Sequence, residues 1–173
     1  MSGRPSRVRS ARSTSSAAAR IYATVDIGVI GYWAIPTAPP WYAAQQGLMQ
    51  DGRTPELRRM MVEYGEQFWK QGWAPLYGVL GGNPLAAMPS LHFATSVTAA
   101  HVLSDTGRVA GLLGWTYAAT LGLALVYLGE HYVTDLAAGL ALAEGIRVAT
   151  PKVSPAATRL SRTLQQLEAK ARS

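Results

Sequence analysis

Apolar residues along this chain fall into long runs that short polar turns separate. Val109–Leu128 is a run of 20 residues without a charge, and the flanking runs Ala86–Leu103 and His131–Ala149 are nearly as apolar. A helix that crosses a bilayer needs roughly 20 apolar residues, so Val109–Leu128 is the best single span. Ile21–Ile35, about 15 residues, is short for one. The pattern predicts an all-α fold, an integral membrane helical bundle with about four apolar helices.

Prolines and glycines mark where these helices should end. Pro36-Thr-Ala-Pro-Pro40 follows the first run, and Trp41 and Tyr42 come next, residue types that favour a membrane–water interface. Gly129 ends the apolar run Val109–Leu128, and Pro151 follows the run His131–Ala149. Proline has no N–H and clashes with the preceding turn, so we expect the last apolar helix to end near Pro151.

Asp51–Trp73 has a different pattern. Its apolar residues recur at helical spacing after Pro55, which suits a first helical turn. They are Leu57, Met60, Met61, Tyr64 and Phe68, and charged residues cover much of the remaining surface. This predicts one amphipathic interfacial helix, on the membrane surface or over the functional site. A helix packed on a soluble core fits the pattern almost equally well.

Charge is distributed unevenly. The chain is 49% hydrophobic and only 15% charged, with no cysteine. Residues 1–20 carry five Arg and no acid, and residues 147–173 carry six Lys or Arg and one Glu. Basic ends around an apolar middle match the positive-inside pattern of membrane proteins. We expect no nucleic-acid partner, because basic and aromatic residues are not interleaved along a face.

These features divide the chain into three parts. Residues 1–20, mostly Arg, Ser and Ala, are expected to be a disordered basic tail, and they lack the order of a signal peptide. Residues 21–150 form the helical membrane domain. Residues 151–173 form a basic C-terminal tail, in which Thr158–Ala169 has the pattern of a short amphipathic helix.

The order of the helices places the histidines. If residues 90–103 and 109–128 form antiparallel neighbours, His92 and His131 lie at one face of the bundle and the 104–108 turn at the other. The basic tails fall on the face of that turn. Basic groups mark the cytoplasm. The sequence therefore predicts cytoplasmic tails and an extracytoplasmic active site.

Two histidines and one aspartate are the candidate catalytic groups. His131 and Asp135 are four residues apart at the start of a predicted helix, on one face, so the carboxylate can fix the imidazole tautomer. His92 lies early in another helix. One histidine can attack a phosphoryl or acyl group while the other protonates the leaving group. A purely structural His131–Asp135 pair is the alternative, but the placement of all three groups at one face favours catalysis.

Ser90 precedes the helix that carries His92. A serine at this position caps the helix, and the N–H groups of the first turn then attract an anion, helped by the helix dipole. A phosphate bound there would lie near His92. Capping alone is the simpler function of Ser90, and the two roles are compatible.

The motifs Pro89-Ser-Leu-His92 and His131-Tyr-Val-Thr-Asp135 resemble the second and third signature motifs of the type 2 phosphatidic acid phosphatase superfamily. The flanking Asn83-Pro-Leu-Ala-Ala-Met-Pro-Ser-Leu-His92 and Pro36-Thr-Ala-Pro-Pro40 look closest to the branch that contains inositol phosphorylceramide synthases. The resemblance covers roughly residues 30–145.

This resemblance implies a membrane enzyme that handles lipid phosphates, in the plasma membrane and without a metal or other cofactor. By the likeness, His131 is the nucleophile that forms a phosphohistidine, Asp135 orients it, and His92 is the general acid for the leaving alkoxide. Water or an alcohol such as inositol then accepts the phosphoryl group. The superfamily usually has about six spans, so the chain with its four is expected either to be an N-terminally shortened member or to complete the bundle with another protein or with a second copy of itself, as a homo-oligomer.

The chain departs from the family pattern at the groups that bind phosphate. Leu91 stands where the second motif has Gly, Leu125 stands where the third has Arg, and the basic first motif has no convincing copy. Positive charge on the phosphoryl oxygens would then come from Lys70, from the group Arg53, Arg58 and Arg59, or mostly from backbone N–H groups. We include Ser90, Leu91 and Lys70 among the substrate-binding candidates.

Two other functions stay open from the sequence. The missing cations favour a non-catalytic membrane subunit with the same fold, and two histidines with one carboxylate can also bind iron or zinc. Three further polar residues are given non-catalytic roles. His101 is opposite His92 on its helix, Glu130 is a polar lid residue, and Glu144 faces water or Arg147.

Overall fold

A computed structural model describes residues 5–49 and 83–171 of the chain, which form five helices. The helices are α1 (Pro5–Ala34), α2 (Pro40–Gln45), α3 (Leu91–Thr106), α4 (Arg108–Tyr127) and α5 (Val133–Ala171). Within these residues the only β-type pairing is an isolated parallel bridge between Thr37 and Ala86. The predicted all-α class is confirmed for this part of the chain. The predicted amphipathic helix Asp51–Trp73 lies outside the described residues.

Helix α1 starts earlier than the apolar pattern indicated. It begins at Pro5, with proline in the first turn, and runs without interruption into the apolar run that ends before Pro36. The structure therefore differs from the expectation that residues 1–20 are disordered. Alanine and arginine favour helix, and extending a helix that the apolar part already nucleates needs no second nucleus.

Helix α5 likewise continues beyond its predicted end. It starts at Val133 and runs to Ala171, with Pro151 and Pro155 inside it. Each proline removes one backbone donor, yet the flanking residues include many Ala, Arg, Leu and Gln, which favour helix. The expectation that the last apolar helix ends near Pro151 is therefore wrong, and the predicted C-terminal helix is part of α5.

Helix α3 lies at the centre of the bundle and packs against α1, α4 and α5. Helix α1 runs antiparallel to it: Arg20 contacts Asp105 at 3.5 Å, and the buried hydroxyls of Thr24 and Thr98 are 3.2 Å apart. The N-terminal end of α1 therefore lies at the end of the bundle opposite the start of α3. A buried cluster of Val97, Ala118 and Ala143 joins α3 to α4 and α5.

Small residues let α4 approach α3 closely. Gly111, Gly114, Ala118 and Gly122 are buried on one face of α4. A Cβ atom on Gly114 would lie 2.9 Å from the Cα of Ala100, so only glycine fits there without a backbone shift.

Replacing Gly114 with alanine should destabilise the bundle by about 1–3 kcal/mol, because the added methyl meets backbone that cannot move aside. The matched control is Gly145→Ala, where an added Cβ meets nothing within 4 Å. That control should be neutral or stabilising by up to about 1 kcal/mol, since alanine is the better helix former. Thermal unfolding of the two purified variants tests this. Equal shifts in Tm would contradict the close α3–α4 contact.

Large apolar side chains cover much of the outside of α1 and α4. Trp33 is 84% exposed, Tyr127 79%, Leu123 75% and Val109 74%. Among the described residues, Arg108–Tyr127 is the one helix long and apolar enough to cross a membrane by length and composition. The predicted best span therefore agrees, within one residue, with α4.

Candidate functional site at the first turns of α3 and α5

His92 and His131 lie close together at one end of the bundle. His92 is the second residue of α3, and His131 belongs to the short loop between α4 and α5. Their ring centroids are 6.4 Å apart, with 61° between the ring planes. His92 is exposed, whereas His131 is only 7% exposed. One phosphate group could contact both rings across this separation.

The end of α4 fixes the backbone of His131. Gly129 adopts a left-handed conformation with φ 71°, which glycine reaches without steric cost, and this reverses the chain after α4. The N–H groups of Glu130 and His131 then both donate to the carbonyl of Leu125, at 3.0 and 3.1 Å. The Trp41 N–H of α2 donates to the Gly129 carbonyl at 3.1 Å, so α2 also braces this loop.

Asp135 is fully buried beneath His131. Its Oδ2 atom accepts a hydrogen bond from the Tyr132 N–H at 2.8 Å and lies 3.4 Å from His131 Nδ1. Among the described residues, neither His131 Nδ1 nor Asp135 Oδ1 has a hydrogen-bond partner. A small rotation of the imidazole would close the Nδ1–H···Oδ2 bond and leave Nε2 as the basic nitrogen.

The sequence predicted this contact for a different geometric reason. We expected His131 to start the helix and to share one helical face with Asp135. The helix instead begins at Val133, and the Asp135 carboxylate, in its first turn, reaches back to accept from the Tyr132 N–H. A carboxylate at this position satisfies a backbone donor and is stabilised by the helix dipole. The pairing is right, but the helical register proposed for it is wrong.

The first turns of α3 and α5 pack directly on each other. The Ser90 N–H donates to the Asp135 carbonyl at 3.0 Å, and a Cβ on Gly139 would lie 2.7 Å from the Ser90 carbonyl oxygen. Ser90 is fully buried and caps α3 through its hydroxyl, which accepts from the Phe93 N–H at 3.4 Å. The predicted capping role of Ser90 is confirmed, and the N-terminal ends of two helices meet at the histidines.

Two aromatic hydroxyl groups border the site and were not singled out from the sequence. Tyr32 of α1 lies beside the backbone of Leu91, in the first turn of α3. Tyr132 lies in the loop beside Asp135. Partial burial raises the pKa of the Tyr132 phenol, and the Asp135 carboxylate raises it further. A tyrosine at the end of an apolar run, next to a proline-rich turn, was the signal available for Tyr32.

None of the positively charged side chains that the structure describes lies at this site. The Lys and Arg side chains that the structure describes lie at or beyond the opposite end of the bundle, and they are Arg20, Arg108, Arg147, Lys152 and Arg159. The predicted substrate-binding residue Lys70, and Arg53, Arg58 and Arg59, lie outside the described residues. Leu125, at the position of the family's arginine, is 3% exposed and belongs to the core.

The described residues also contain no group of three or more His, Cys, Asp or Glu side chains placed to hold a metal ion. The alternative metal site of His92, His131 and Asp135 is therefore not formed by this geometry. His101 lies away from the site, as predicted. Glu144 accepts a hydrogen bond from Arg147 at 2.7 Å, which confirms its predicted contact.

Comparison with known proteins agrees with the motifs. A family model described as PAP2 superfamily matches residues 3–149. The chain is also similar to a phosphoinositol dihydroceramide synthase of Bacteroides thetaiotaomicron, with 34% identity over 121 residues. That match covers 68% of this chain and 39% of the relative, so the chain spans well under half of the relative's length. No solved structure matches the chain.

Proposed function

Because this chain belongs to the PAP2 superfamily, we propose that it is a membrane phosphatase or phosphotransferase that acts on lipid phosphates through a phosphohistidine. The observation that carries this proposal is the buried His131–Asp135 pair facing His92 across 6.4 Å. These are a nucleophile with an orienting carboxylate and a separate proton donor, the groups that a two-step phosphoryl transfer needs.

In the first step, His131 Nε2 attacks phosphorus while the P–O bond to the leaving alcohol breaks. Asp135 holds the Nδ1 proton and stabilises the positive imidazole that forms. His92, when protonated, gives its proton to the departing alkoxide. The lipid alcohol leaves and the phosphoryl group stays on His131.

In the second step, His92 is neutral and accepts a proton from water or from an acceptor alcohol. The oxygen attacks phosphorus, the P–N bond breaks, and His131 is regenerated. Two imidazoles this close to each other disfavour simultaneous protonation. His92 can therefore donate a proton in the first step and accept one in the second.

The phosphoryl oxygens need positive charge, and the two helix ends supply part of it. The first turns of α3 and α5 meet at the histidines, and free N–H groups at helix N-termini favour anions. We assign Ser90 and Leu91 to this site as cap and as backbone donor. Lys70 stays a predicted cation of the site.

A membrane location supports this function, since PAP2 superfamily members are membrane proteins. The exposed apolar surface of α1 and α4 fits a bilayer around the bundle. We propose that the protein is an integral membrane bundle of the plasma membrane. Among the residues whose side chains the structure describes, Lys and Arg lie at or beyond the end opposite His92, and this supports our proposal that both tails are cytoplasmic and the site extracytoplasmic.

The relative suggests an acceptor. Its name contains both phosphoinositol and dihydroceramide. We therefore propose that this chain transfers a phosphoryl group to or from an alcohol such as inositol, as well as to water. A non-catalytic membrane subunit, alone or in a homo-oligomer, is the second candidate function. The observation that favours it is the core position of Leu125, where an arginine would be needed to bind phosphate.

Phosphate release from a lipid panel tests the proposal. The panel holds phosphatidate, a polyprenyl diphosphate and a phosphatidylinositol phosphate, presented in detergent with a chelator present and with inositol offered as acceptor. We expect release or transfer from at least one lipid, and no loss of rate with the chelator. Absence of any turnover would favour the non-catalytic subunit, and loss of rate with the chelator would contradict the metal-independent mechanism.

A further inference from the structure

A second polar cluster joins the helices at the end of the bundle away from the site. His101 Nε2 of α3 lies 2.5 Å from Glu144 Oε1 of α5, and the Arg147 Nε–H donates to the other Glu144 oxygen at 2.7 Å. The His101 ring also meets Trp115 of α4 edge to face, with centroids 4.9 Å apart. The proposed mechanism uses none of these groups.

The spacing of this cluster repeats the spacing of the site. His101 follows His92 by nine residues on α3, and Glu144 follows Asp135 by nine residues on α5. The two helices run parallel. They are therefore joined by polar contacts at two levels about 13–16 Å apart by helical rise, one at Ser90–Asp135 and one at His101–Glu144.

Apolar packing between the helices, here Val97 of α3 in one buried cluster with Ala143 of α5, is non-directional and permits small shifts. Polar contacts between fixed partners set the tilt and the axial register, and near the site this contact is the Ser90–Asp135 hydrogen bond. The second contact involves a carboxylate, and such charge-assisted hydrogen bonds are stronger than neutral ones. The side chains of His101 and Glu144 are 21% and 35% exposed, so water competes only partly for this contact.

We propose that His101 and Glu144, braced by Arg147, are positioning residues that set the register of α3 against α5 and so the separation of His92 from His131. The effect on turnover rests on the proposed function. The effect on helix register does not, and it can be measured without any substrate.

A pair of spin labels reports the register directly. The chain has no cysteine, so Thr106→Cys and Val133→Cys add the two labelling sites. Both residues are exposed. Thr106 lies five residues beyond His101, and Val133 lies eleven residues before Glu144, so the pair is separated axially by 16 residues, about 24 Å of rise. Any sliding or tilting of the helices changes this diagonal distance.

Alanine at His101 or at Glu144 should shift the mean label distance by about 1.5 Å or more, the rise of one residue, and broaden its distribution. His101→Gln should keep the wild-type distance, because its amide N–H can still reach the carboxylate. The matched control is Asp105→Ala, at the same end of α3, which removes an ion pair to α1 and leaves the α3–α5 contact intact.

Turnover gives the second measurement. The alanine variants should lose about tenfold in kcat, with KM changed less than twofold, because small displacements of reacting groups slow the chemical step. His101→Gln should restore kcat. The double alanine variant should be no slower than either single variant, since each one already breaks the same contact. Rates are normalised to correctly folded protein measured by size-exclusion chromatography.

An unchanged label distance in both alanine variants would overturn the positioning role. If the wild type releases no phosphate from any lipid, the proposed function fails, and the label distance still decides the register. If the alanine variants do not fold, Glu144→Met provides the same test, because methionine keeps a long, helix-favouring side chain and removes both acceptor oxygens. A label distance identical to wild type in that variant would overturn the proposal.

Discussion

Replacing His131 with alanine should lower kcat by about 10⁴-fold or more and remove the covalent phosphoenzyme. In the proposed mechanism the Nε2 atom of His131 forms the bond to phosphorus, and Asp135 is held beneath the ring with its carboxylate turned to Nδ1 and to the Tyr132 N–H. In the variant a water molecule would have to attack phosphorus directly, without a covalent intermediate on His131 and without the imidazolium that Asp135 stabilises.

The measurement is rapid-quench labelling with a lipid substrate that carries ³²P in its phosphate. Wild-type protein should retain label that acid releases and base does not, as expected for phosphohistidine. Val133→Ala is the matched control, because Val133 is the neighbouring exposed residue at the start of α5 and has no role in the chemistry. It should retain both label and turnover. Full labelling of His131→Ala would place the nucleophile elsewhere.

Replacing His92 with glutamine should have the second largest effect, and its size should depend on the leaving group. Loss of a general acid typically costs about 10²–10⁴-fold, so the rate of phosphoenzyme formation from an alkyl phosphate lipid should fall by this amount. With p-nitrophenyl phosphate the leaving phenolate is stable without a proton. The same variant should then lose less than about tenfold in phosphoenzyme formation.

The second half of the reaction supplies an internal check on His92. Because the same ring takes a proton from the attacking water in the proposed second step, His92→Gln should hydrolyse its phosphoenzyme slowly and accumulate labelled protein with the aryl substrate. Comparable losses of the first step for alkyl and aryl phosphates would contradict the role of general acid. An Asp135→Asn variant changes the carboxylate that contacts His131 and the Tyr132 N–H and leaves His92 unchanged, so it should show no such dependence on the leaving group.

Much of the fold follows from local patterns that the sequence contains. Helix α4 lies within one residue of the uncharged run that predicts it, and Ser90 caps α3 as its residue type indicates. Helix ends were predicted less well. Local signals at Pro151 and in the basic first 20 residues indicated an end and a tail, whereas the helices α5 and α1 continue through both regions.

The candidate site, like the fold, was predicted in part from local sequence and in part depends on tertiary packing. His92, His131 and Asp135 could be found from two short motifs, because each motif places a chemically suitable side chain next to a helix end. Their 6.4 Å arrangement depends on contacts between distant segments, above all the packing of Gly139 against the Ser90 carbonyl. Periodicity within one segment carries no information about the register between two segments.

The sequence by itself determined the all-α class, the strongest candidate span, the family and the three groups proposed for catalysis. The tertiary structure alone decided that α5 begins at Val133, that Asp135 meets His131 through a turn, and that His101 pairs with Glu144. The physical reason is that apolar spacing and capping act within a few residues. The contact between His101 and Glu144 joins side chains 43 residues apart, and only the packing of whole helices brings them together.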